Sequence, residues 1–284
     1  MVVTKGFKDC LVIGNQTRPK IFDLAIRKPD LIYESVLEID ERVTLEDYAE
    51  DPYRNITTVG EDSQDDSLVK GISSEAVRIL KRPDEDAIRK QLQDFYNEGI
   101  RSIAVCLMHG FTYPVHESLV GKLAREIGFT HVSLSHELMP MIKLVPRATS
   151  TCVDAYLTPA IKKYISGFQA GFEGGLGAES VKNEKGQKGV RCEFMQSDGG
   201  LVDVDNFNGL RGILSGPAGG YVGFAMVCYF TFFFQGSLTH MNRLRTIPKQ
   251  RFLSLDLIWE ARQRMYLVMA RASMSTFLRQ QRQA

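Results

Sequence analysis

The stretch DEDAIRKQLQDFYNEGIRSIAVCLMHGFTYPVHESLVGKLAREIGFTHVSL, residues 84–134, decides the fold class. Asp84 follows Pro83 and precedes Ile88, Leu92, Phe95 and Tyr96, which recur at helical spacing. Asp84 is therefore read as the cap of a helix that Gly99 ends. Residues 102–107 form an apolar run with the length of a buried strand. Pro114 opens a second helix, with Leu119, Leu123 and Ile127 on one stripe and Gly128 as its stop, and residues 131–134 are a further short strand. Strands and helices in alternation predict an α/β layer fold.

Toward the C-terminus, Pro146 opens a helical stretch through Val153 and Leu157, and Pro159 starts another that runs to about Phe172. Residues 174–188, rich in Gly, Glu and Lys, read as a surface loop. Residues 191–196 are a strand entering the turn Asp198-Gly199-Gly200, and residues 210–214 lead into Ser215-Gly216-Pro217-Ala218-Gly219-Gly220, a turn into a helix. The acidic residues 47–66 are a solvated connection or a weak helix. Toward the N-terminus, residues 4–9 show no capped opening strand or helix, so a preceding portion is expected.

Composition narrows the function classes. The 284 residues are 44% hydrophobic and 24% charged, which suits a globular protein of one or two domains. A net charge of +1 supplies no basic face for nucleic acid or an anionic membrane, and neither partner is expected. The charge is uneven. From Phe224 onward nine basic residues face two acidic ones, against 26 basic and 32 acidic before it, a break that marks a boundary. Cys10, Cys106, Cys152, Cys192 and Cys228 are scattered without a C-x-x-C pair, so they read as reduced thiols of a cytoplasmic protein, with no metal site. The apolar run 224–234 falls short of the ~20 residues that a membrane helix needs.

The candidate chemistry centres on two glycine motifs. In Ser215-Gly216-Pro217-Ala218-Gly219-Gly220 the glycines remove side-chain bulk where helix amides can face a nucleotide phosphate, or else the motif is a tight helix entry packed on a strand. No Lys-Ser or Lys-Thr follows, so it is not a Walker A loop. Asp198, before Gly199 and Gly200, has the chemistry to hold a hydrated magnesium or a substrate amide, although an Asp in that place more often closes an Asx turn. His109 and His116 flank a loop, as ligands or bases or, more commonly, as loop and cap residues. Lys5 is a phosphate partner or a solvated cation. No catalytic nucleophile or base is assigned.

Several segments carry a resemblance. They are Thr4-Lys5-Gly6-Phe7-Lys8-Asp9, Ile13-Gly14-Asn15-Gln16-Thr17-Arg18-Pro19, Glu38-Ile39-Asp40-Glu41-Arg42-Val43, Val145-Pro146-Arg147, Asp154-Ala155-Tyr156-Leu157-Thr158-Pro159 and the two glycine motifs. In order and without large gaps, residues 4 to about 226 resemble the ATP-dependent 5-oxoprolinases of the hydantoinase/oxoprolinase family. The resemblance implies an actin/Hsp70-like (ribonuclease H-like) ATPase fold in which two lobes close on ATP, each with a Gly-Thr phosphate loop. It implies ATP-driven opening of 5-oxo-L-proline to L-glutamate in glutathione metabolism, with Mg2+, with K+ as a further cation, and with a homodimeric enzyme. Hydantoinase-type amidohydrolase subunits share the scaffold, and a catalytically dead interaction fragment is the alternative outside enzymes. Neither Gly-Thr loop stands in this sequence. One is expected before Thr4 and the other shortly after Gly223, so the chain alone is expected to be inactive.

The resemblance divides the chain into 1–146, the rest of the family's N-terminal region, 147–226, the start of its hydantoinase A-like domain, and 227–284, a non-native tail. The genetic code offers a reason for that tail. Val227-Cys228 permits an intron donor, residues 237–239 a branch site and Asn242-Arg243 an acceptor, and the interval is not a whole number of codons. Read with the resulting shift, permitted codons for residues 255–270 spell GFDMGGTSTDVSRYG, with Trp259, Met265 and Met269 forcing Gly, Val and Gly. Residues 227–284 are therefore read as retained intron followed by out-of-frame sequence. Residues 224–234 are expected to prolong the helix begun at Pro217 or to expose an apolar patch, and 253–274 to be helical by propensity alone.

Overall fold

The computed structural model describes residues 1–15, 22, 24–25, 30–47, 57, 59, 65–172 and 192–239, with side chains of the last helix described as far as Val227. The sequence readings for 48–56, 174–188 and 253–274 lie outside the described residues. In chain order the elements are β1 (Val2–Thr4), α1 (Cys10–Ile13), β2 (Leu37–Ile39), β3 (Arg42–Leu45), β4 (Leu68–Lys70), β5 (Ala76–Lys81), α2 (Glu85–Asn97), β6 (Ser102–Cys106), α3 (Val115–Ile127) and β7 (His131–Leu134). There follow α4 (Ser135–Leu138), α5 (Leu144–Gln169), β8 (Glu193–Met195), β9 (Leu201–Asp203), a 3-10 turn (Val204–Asn206), α6 (Gly209–Gly212) and α7 (Ser215–Thr239). They divide into two compact units: Met1–Glu173 with Asn208–Leu210, and Gly174–Phe207 with Arg211–Ala284.

The first unit is built on a parallel sheet of order β2-β1-β6-β7. Successive strand residues point to opposite faces, and the sequence uses this. Val2, Ile103, Val105 and Leu134 pack with Ile88 and Leu92 of α2 and with Val120, Leu123 and Ala124 of α3. Val3, Ala104 and Cys106 face Ala148, Cys152 and Ala155 of α5, where small residues on both sides let the helix lie close to the sheet. A separate antiparallel sheet, β3-β5-β4, buries Val43, Val77 and Ile79.

Local signals explain the helix limits. The Asp84 carboxylate accepts from the amides of Asp86 and Ala87, and Gly99 and Gly128 stop α2 and α3 with φ of 100° and 110°. Two expectations need correction. Residues 4–9 are read as lacking an opening element, but a strand at Val2–Thr4, too short for periodicity to reveal, leads into them and lies inside the sheet. The two helices expected around Pro159 are one helix of 26 residues. Proline supplies no N–H for the carbonyl four residues earlier, which would ordinarily break a helix. Here the Ser102 hydroxyl, projecting from β6, donates to that same carbonyl of Ala155 at 2.6 Å, so the vacated acceptor is satisfied from the sheet.

Among the described residues no helix is long and apolar enough to cross a membrane. Cys10, Cys106, Cys152 and Cys192 are free thiols, and burial pushes the thiols of Cys106 up to about 12 and Cys152 up to about 11.

Candidate functional site

In the second unit β8 and β9 form an antiparallel hairpin with Met195 opposite Leu201. Its turn is Asp198-Gly199-Gly200. The Asp198 carboxylate accepts from the Gly200 amide at 2.8 Å, an Asx turn, while Gly199 has φ +86°. That left-handed backbone favours glycine. The Ser197 hydroxyl donates to the carbonyl of Arg211 at 2.6 Å and accepts from the amide of Leu214 at 2.9 Å, so the hairpin grips the chain immediately before α7.

The elements that carry the two glycine motifs, which are separated by fourteen intervening residues, pack together here. A side chain on Gly199 would come within 3.2 Å of Val222, and one on Gly219 within 3.6 Å of Met195. Ala218 is buried, whereas Gly216 and Gly220 are exposed, and an added side chain at either would meet nothing within 4 Å. The motif thus has one packed face and one bare face. Ser215 and Gly216 stand at the helix start, where amides have no partner within the helix, and Pro217 has no amide to leave unpaired. The packed face fits the reading as a helix entry against a strand, and the other face leaves the backbone of Gly216 and Gly220 open.

The first unit holds a different arrangement at the carboxyl ends of its parallel strands. The chain runs from β1 to β2 on one side and resumes with β6 on the other, so the strand order reverses between β1 and β6, the place where open parallel sheets offer a crevice. This place is filled by the protein's own polar groups. The Met108 amide donates to the Thr4 hydroxyl at 3.0 Å, and that hydroxyl donates to Glu41, whose other oxygen binds His116 Nδ1 at 2.7 Å. Beside them lies Arg147, fully buried. It donates to the carbonyls of Leu107 (2.8 Å) and Met108 (2.7 Å), to the Ser135 hydroxyl (2.7 Å) and to Glu117 (3.3 Å). Glu117, also fully buried, accepts from the Leu107 amide, the Ser135 hydroxyl and His136.

His116, at the helix start that closes the loop, is buried in the first turn of α3 and bound to a carboxylate. His109 is partly buried, and burial and then the nearby Arg147 guanidinium hold its pKa below the ordinary imidazole value. Lys5 is exposed and pairs with Asp40 at 3.3 Å. Among the described residues there is no group of three or more His, Cys, Asp or Glu placed to hold a metal ion. Sequence reading missed the Glu41, Glu117 and Ser135 roles, because each partner lies ten or more residues away and no spacing rule connects them.

The family description "Hydantoinase/oxoprolinase N-terminal region" matches residues 1–128, and "Hydantoinase/oxoprolinase" matches residues 147–232. The chain belongs to the hydantoinase/oxoprolinase family. The 5-oxoprolinase of Saccharomyces cerevisiae is 51% identical over 228 residues, covering 80% of this chain and 17% of its own length. The 5-oxoprolinase of Dictyostelium discoideum is 49% identical over 225 residues, 79% of this chain and 16% of its own. The chain therefore spans about a sixth of the length of these relatives. The ATP-dependent caprolactamase of Pseudomonas jessenii shares the fold, with a TM-score of 0.54 at 22% identity, over 81% of this chain and 28% of that one. Relatives named 5-oxoprolinase are 47–51% identical over about 80% of this chain, and its parallel sheet is consistent with an α/β ATPase-like fold.

Proposed function

We propose that this chain is part of an ATP-dependent 5-oxoprolinase that opens 5-oxo-L-proline to L-glutamate, and that α7 supplies backbone for the nucleotide. The observation that carries the reading is the bare face of Gly216 and Gly220 on a helix start held by the Asp198 hairpin, in a chain 51% identical to a 5-oxoprolinase. In the actin-like arrangement of two lobes that the family implies, such a face lets phosphate oxygens reach the Ser215 and Gly216 amides. Asp198, exposed but holding Gly200 with one oxygen, has its other oxygen to offer a magnesium-bound water.

The chemistry requires phosphorylation of the lactam oxygen, which turns a poorly electrophilic amide into an imidate that water can attack. Such a transfer depends on clustered phosphate donors. This sequence contains no Gly-Gly-Thr loop, so the chain by itself does not carry the reaction. The test is calorimetric titration with ATP and magnesium of two proteins: the chain as it stands, and the form read with the frame restored after residue 226, which carries GFDMGGTSTDV. No binding to the first at micromolar ATP and magnesium-dependent binding to the second are expected. Tight binding to the first overturns the reading, and so does a transcript population in which the interval 227–242 is never removed.

A further inference from the structure

We propose that Asp154 and Thr158 of α5 form a clasp that holds the polypeptide at Gly209 and Leu210, where the chain rejoins the first unit between two stretches of the second. The first unit includes Asn208–Leu210, while the residues on either side belong to the second. The chain thus passes between units after residues 173, 207 and 210, and the last two passages flank the clasp.

Three features converge on it. Asp154 is 1% exposed and its carboxylate accepts from four groups: Ser133 Oγ at 2.7 Å, Thr158 Oγ1 at 2.8 Å, the Leu210 amide at 3.2 Å and His131 Nε2 at 3.3 Å. Thr158, fully buried, uses its hydroxyl twice, donating to Asp154 and accepting from the Gly209 amide at 2.8 Å. Gly209 and Leu210 open the four-residue helix α6, whose first amides have no acceptors within the helix. Capping residues normally come from the helix's own chain. Here they come from α5, one turn apart, so capping α6 also ties it to α5.

The third feature is steric. A side chain on Gly209 would stand 2.5 Å from Leu157 Cβ and 2.8 Å from the Thr158 nitrogen. Backbone cannot yield at those distances, so the returning chain reaches its acceptors only with glycine at this position. Ser133 and His131 reach Asp154 from β7, so one carboxylate joins sheet, helix and returning chain. The clasp is a tether that fixes Gly209 and Leu210 to α5. It does not rest on the nucleotide reading.

Hydrogen exchange on the full 284-residue chain tests it. Thr158→Val keeps the shape of the side chain and removes the hydroxyl, and Thr158→Ser keeps the hydroxyl. In Thr158→Val, exchange in a peptide covering 208–210 should rise about tenfold while β1, β6 and α3 remain protected as in the parent. Thr158→Ser should behave as the parent, which a requirement for bulk alone would not produce. Gly209→Ala attacks the clasp from the other side and should give the same local rise, also if Thr158→Val fails to fold. The clasp is refuted if exchange at 208–210 is unchanged in the folded variants, or if both Thr158→Val and Gly209→Ala lose protection equally throughout the chain.

Discussion

Arg147 shows how much one residue's meaning depends on its surroundings. In the sequence it is the last member of Val145-Pro146-Arg147, a marker of the family; in the structure it is fully buried and closes the carboxyl end of β6. Its planar guanidinium spans two carbonyls, a hydroxyl and Glu117, a set that the single ammonium of lysine cannot reproduce. Removing one partner of a buried ion pair leaves the other unpaired, at a cost of about 3–5 kcal/mol. Arg147→Met should therefore lower the free energy of unfolding, read from urea titration, by that amount, and Arg147→Lys should recover little of it. A parent-like midpoint in Arg147→Met would mean that the pair adds no net stability. Gly110 belongs to the same node, since a side chain there would come within 2.2 Å of Glu117 Oε1.

At the scale of elements, α5 is the informative case. Helical spacing predicts helix on both sides of Pro159, but the rule that proline ends helices divides it in two. The rule fails because its penalty has a local origin, an unpaired carbonyl, and Ser102 removes part of it. The consequence can be measured. Ser102→Ala should cost about 1–3 kcal/mol by leaving the Ala155 carbonyl buried without a donor. In a Pro159→Ala background the restored helix amide can serve that carbonyl, and the same Ser102→Ala change should cost less than about 0.5 kcal/mol, the usual limit of additivity. Equal costs in both backgrounds, by chemical denaturation, would show that the hydroxyl serves some other group. Helix α7 gives the converse lesson. It continues through 224–234 as expected, with Phe224, Met226 and Val227 more than half exposed.

At the scale of the whole molecule, the acid limb of stability should carry the signature of Asp154. Burial raises its carboxyl pKa, but hydrogen bonds from His131, Ser133, Thr158 and Leu210 outweigh burial and hold it below the usual carboxylate value. A folded-state pKa below the unfolded value of ~3.9 adds stability that is complete above that pH and is lost as pH falls through the folded value. Between about pH 5 and pH 2 the parent should lose stability more steeply than Asp154→Asn, as read from urea midpoints along the pH series. Parallel slopes would show that the carboxylate does not titrate with unfolding. Much of the architecture was legible beforehand. Residues 84–134 announced helix, strand, helix and strand because each element there meets its own local rule, a capping Asp84, stop glycines and apolar stripes. The two glycine motifs stood out because glycine clusters have few structural uses. Sequence by itself determined the α/β class, the family and the presence of two glycine motifs. Only the tertiary structure decided that residues 2–4 are a central strand, that Pro159 is tolerated, that Gly199 lies against Val222 and Gly219 against Met195, and that Arg147 and Asp154 serve as buried nodes. Those facts depend on contacts between residues far apart in the chain, whose free energy exists only once the sheet and helices have come together.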